Sequence, residues 1–74
     1  METVILEVME SWPVQLVLEA PGGREMAALS EHARIRRAGF LVDSGLLRPG
    51  QRIRILARSA RGEITDLEIL EEPV

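Results

Sequence analysis

Apolar and polar residues alternate with a period of two along most of this chain, the spacing that puts every second side chain on one face of a strand. Thr3 to Met9 is rich in β-branched residues and sets Val4, Leu6 and Val8 on one face, which predicts a first strand. Glu10-Ser11-Trp12-Pro13 interrupts it, since Pro13 cannot donate to a ladder. A second strand follows, with Val14, Leu16 and Leu18 alternating with Gln15, Val17 and Glu19. Pro21-Gly22-Gly23 supplies a hairpin turn, and a third strand returns through Arg24 to Leu29. The period then changes. Ser30 is placed to cap a short helix, Glu31 suits its positive end, and Gly39 suits its termination, with Ala33, Ile35 and Ala38 left for packing. Phe40-Leu41-Val42 forms an apolar anchor, and Arg48-Pro49-Gly50 a turn. From Gln51 the run Arg52-Ile53-Arg54-Ile55 separates two arginines from two isoleucines on opposite faces of a fourth strand. Ser59-Ala60-Arg61-Gly62 turns the chain into a last strand over Ile64 to Leu70, and residues 71–74 are expected to fray.

The predicted order is three strands, a short helix, then two strands. Both faces of the strands carry apolar residues, and closing five strands into a small barrel is the economical way to bury them. The expected fold is therefore all-β: a five-stranded small barrel of the oligonucleotide/oligosaccharide-binding type with a short helix between the third and fourth strands. With 74 residues the chain makes one domain, residues 1–74.

Composition narrows the function classes. The chain is 46% hydrophobic and 28% charged, which places it among folded globular domains rather than disordered ones. It has no cysteine, which removes disulfides, thiolate metal sites and thiol nucleophiles. No apolar run reaches a membrane-spanning length and Met1-Glu2-Thr3 lacks the basic start of a signal peptide, so a cytoplasmic location without membrane contact is expected. The net charge of -3 conceals segregation. Residues 1–33 carry six glutamates against Arg24, and residues 62–74 carry only acids. Between them, Arg34, Arg36, Arg37, Arg48, Arg52, Arg54, Arg58 and Arg61 face Asp43 alone. Such asymmetry points to a polyanionic partner, unless the arginines pair with acids on neighbouring strands.

Several segments resemble the bacterial translation initiation factor one family. Thr-Val-x-x-Glu-Val over Thr3 to Val8 resembles its first strand, and Val14 to Glu19 followed by Gly22 its second strand and turn. Ala28-Leu29-Ser30 with Arg34, Gly50 before an alternating strand, and Arg61-Gly62-Glu63-Ile64 before the last strand match in place. The resemblance implies a small barrel that binds ribosomal RNA without catalysis, with Arg34 in the matching position of the connector. Glu31-His32 stands where that family has Gly-Lys, the segment between Ser30 and Gly50 is longer, and the end is acidic rather than basic. Leu41-Val42-Asp43-Ser44-Gly45-Leu46 with Pro49-Gly50 resembles instead the small barrels that assist ferrous iron uptake.

For RNA, arginines supply phosphate contacts and aromatic rings stack on bases. The candidate nucleic-acid-binding residues are Arg34, Arg36, Arg37, Arg52, Arg54 and Arg58, with Trp12 as the one loop aromatic; Phe40 reads as core. His32 is the only histidine, which leaves neither a convergent metal site nor a serine triad, and no cofactor or enzymatic activity is expected. The alternative is a protein-interaction or self-association module, meeting a protein partner or a second copy through a strand edge.

Overall fold

In a computed structural model the described residues, 1–73, are nearly all-β. Six strands form: β1 (Glu2–Met9), β2 (Gln15–Ala20), β3 (Gly23–Arg37), β4 (Phe40–Val42), β5 (Arg52–Arg58) and β6 (Ile64–Glu71), with one 3₁₀ turn at Ser44–Leu46. The sheet runs β2-β1-β5-β6-β3-β4, and an additional β2–β3 pairing joins its far members. Five strands thus close a ring, leaving β4 outside it. All neighbours are antiparallel except β3 and β6, which run parallel.

The alternation in β5 is realised as read: Ile53 and Ile55 are buried while Arg52 and Arg54 are exposed. Inside the ring, Ile5, Leu16, Leu18, Leu29, Ile35, Ile53, Ile64 and Leu67 pack together. Pro21-Gly22 forms the two-residue β2–β3 hairpin, where Gly22 adopts the positive φ of 84° that the second position of such a turn requires.

Two expectations are corrected. In β1 the inward residues are Thr3 and Ile5, not the Val4-Leu6-Val8 set acting as one face. Ile5 pairs with Leu18 but Glu7 with Val17, so one extra residue bulges at Leu6 and brings Val8 round to the core. The predicted helix is absent: residues 30–37 continue β3, and the connection to β5 holds only β4 and the 3₁₀ turn. Ile35 alternates with exposed Arg34 and half-buried Arg36, and this period of two fills the core where three spaced helical positions would not. Ser30 does accept a backbone N–H from two residues on, at 3.2 Å from His32, but the motif stabilises a bulge. From Leu29 to Arg34 on β3, β6 advances only from Ile64 to Asp66, so the segment between bows out of the ladder. Gly39 ends no helix. With Ala38 (φ 52°) it forms the positive-φ pair of a tight hairpin that sets Arg37 opposite Phe40.

Of the expected frayed tail, Glu71 ends β6 opposite Arg52 and Glu72 accepts from Gln51; Val74 lies outside the described residues. No helix is long and apolar enough to cross a membrane among the described residues.

Candidate interaction surface

The strands set the predicted arginines among acids rather than into one uninterrupted basic face. Arg36, Glu68, Arg54 and Glu2 occupy one transverse row across β3, β6, β5 and β1, alternating in sign. Arg54 donates to Glu2 at 3.0 Å and lies 3.6 Å from Glu68. Asp66, one of the less exposed acids, receives Arg34 at 3.1 Å and Arg36 at 3.8 Å. Arg37 lies at the end of β3, 3.6 Å from Glu72. Arg58 reaches across to Glu25 at 3.2 Å. Only Arg52, of the six, has no carboxylate partner among the described residues, although its strand neighbour across β6 is Glu71. Each exposed pair contributes about 0–1 kcal/mol, so the acids shape the surface potential more than the stability. A phosphate approaching this face meets alternating charges instead of a continuous positive field.

Trp12 lies elsewhere, in the β1–β2 loop, and is 77% exposed. It borders a cleft of about 310 Å³ whose floor is Val14, Leu29, Ile35 and Val42 and whose rim includes Glu31 and Asp43. The outward bow of β3 contributes Ser30, Glu31 and Ala33 to the wall of this cleft. A second hollow, which also borders Trp12, is lined by His32, Arg61, Glu31 and Glu63. His32 sits 3.4 Å from Glu31, and no group of side chains among the described residues could hold a metal ion. Carboxylates thus border both hollows beside Trp12, with Arg61 added at the second.

Next to the cleft, β4 presents what sequence reasoning assigned to the core. Phe40 is 75% and Leu41 64% exposed, while Val42 alone turns inward. Alternation sends Phe40 and Leu41 to opposite faces of the strand, so the hairpin stands clear of the body on both. Among the described residues its only strand partner is β3. The signal available in the sequence was the three-residue apolar run directly after a glycine turn, with no charge inside it. No family model, no curated protein and no solved structure matches the chain.

Proposed function

We propose that this chain is a non-catalytic protein-interaction module, built on a small barrel of the oligonucleotide/oligosaccharide-binding type, that accepts an extended protein segment along the free edge of β4. The barrel reading is supported by the closed order of five strands with a single parallel pair, β3–β6. The interaction reading is carried by one observation: Phe40 and Leu41 stand exposed on a strand whose outer edge has no partner among the described residues. Natural edges are usually blunted by charge, proline or a bulge, and β4 has none of these within it. An added strand gains backbone hydrogen bonds there, with side-chain contacts from Phe40, Leu41 and the cleft beside Trp12.

Trp12 is the sole tryptophan in a chain without tyrosine, so its emission reports this end of the molecule alone. A panel of extended apolar peptides titrated against the protein is expected to shift that emission, with weak salt dependence and loss of the shift in Leu41→Pro. Silence towards every peptide, together with quenching by single-stranded RNA that weakens steeply with salt, would replace this reading with the RNA-binding one.

A further inference from the structure

We infer that the strand accepted by β4 is β4 of a second copy, paired antiparallel about a two-fold axis at Leu41. The inference rests on the strand-addition reading and names its partner. In the β3–β4 hairpin, Arg37 and Phe40 close a two-residue turn, followed by the pairs Arg36–Leu41 and Ile35–Val42. Antiparallel ladders alternate hydrogen-bonded and non-bonded pairs, and the pair closing a two-residue turn is bonded. The N–H and C=O of Phe40 and Val42 therefore serve β3, whereas those of Leu41 point to the open edge. An axis at Leu41 sets its N–H against the Leu41 carbonyl of the other copy and the reverse, so a single residue type satisfies both sides.

Charge does not oppose this arrangement. Residues 38–42 are uncharged, so no like charges meet across the axis, and Arg37 stays on β3 beside Glu72.

The apolar side chains fit the axis as well. Phe40 lies on the same strand face as the inward-turned Val42, and the two-fold puts Phe40 of one copy opposite Val42 of the other. Val42 lines the open cleft of about 310 Å³ beside Trp12. Phe40 of the second copy thus comes down beside Val42, at the mouth of that cleft. With only three residues in the strand the contact is small, and a reversible dimer follows rather than a permanent one.

The test is sedimentation equilibrium of the full chain over about 10 μM to 1 mM, a span chosen for a small, weak interface. The expected result is a weight-average mass that rises from 8.2 kDa towards twice that value, with a concentration-dependent change in Trp12 emission. Leu41→Pro, which removes the edge donor, and Phe40→Glu, which changes an exposed side chain and spares the backbone, are each expected to weaken dimerisation by at least about tenfold. A wild-type chain that stays monomeric throughout overturns self-pairing; if peptides still shift Trp12 in a Leu41-dependent way, strand addition survives with another partner. A dimer indifferent to both substitutions overturns the assignment to β4. Far-ultraviolet circular dichroism on both variants separates lost pairing from lost folding, and Phe40→Glu alone decides the matter if Leu41→Pro unfolds.

Discussion

Gln51 is completely buried, and its Nε2 donates to the Glu72 carboxylate at 3.1 Å as well as to the Leu46 carbonyl at 2.8 Å. Its Oε1 accepts from the Arg48 backbone N–H at 3.0 Å. One amide therefore fastens the 3₁₀ turn, the start of β5 and the segment after β6, and Glu72 extends the link to Arg37 on β3. An amide is the side chain that can donate and accept here at once. Gln51→Leu strands the Arg48 N–H and the Leu46 carbonyl, with an expected loss of about 2–4 kcal/mol in urea unfolding. Glu72→Gln keeps an acceptor for Gln51 and is expected to lose less than about 1 kcal/mol.

Gly50 and Gly62 both adopt positive φ, at 93° and 87°, but only Gly50 is crowded: a methyl group there would lie 2.8 Å from Cβ of Pro73. Gly62→Ala carries the conformational cost alone, about 1–2 kcal/mol. Gly50→Ala is expected to cost clearly more, and a parallel thermal unfolding of the two variants checks the order.

Ala38 is the one non-glycine residue at positive φ among the described residues, and it precedes Gly39 in the tight hairpin. Ala38→Asn creates the Asn-Gly pair that such turns favour. The variant is expected to be more stable by about 0.5–1 kcal/mol in denaturant unfolding.

Neutralising the acids that hold the arginines is expected to raise the affinity of this surface for polyanions. Asp66→Asn with Glu68→Gln frees Arg34, Arg36 and one side of Arg54. Fluorescence anisotropy with labelled single-stranded RNA at low salt should show binding that falls steeply as salt rises, beyond any seen for the unmodified chain. Equal affinity for both proteins would mean that the ion pairs do not mask the arginines. Stability should change by no more than about 1 kcal/mol per pair lost.

The strands were legible where a local period of two coincided with burial. Arg52-Ile53-Arg54-Ile55 declared its inner face, and Pro21-Gly22 its turn. Ser30 to Gly39 misled because each local cue had two uses. A serine hydroxyl that accepts an N–H two residues on serves a bulge as readily as a helix start, and a glycine at positive φ ends a helix or turns a hairpin. What decided between them was the parallel register of β3 against β6, a contact no local window contains. In β1 the Leu6 bulge reversed the apparent face for the same reason, since it exists only in relation to β2. The candidate site fared likewise. Arg34 finds Asp66 and Arg54 finds Glu2 across separations of 32 and 52 residues, so charge blocks that look segregated along the chain interleave in space.

The closed ring also dictates an order of events. The β2–β3 and β5–β6 hairpins join neighbours in sequence, whereas β1–β5 and β3–β6 seal the circle over long separations. Until both seals form, each hairpin exposes raw ladder groups, so assembly is governed by a search between two preformed halves, slow for a polypeptide this short. Cutting the link between β4 and β5 would turn that search into an encounter of two molecules, and the protein into a pair of complementing fragments.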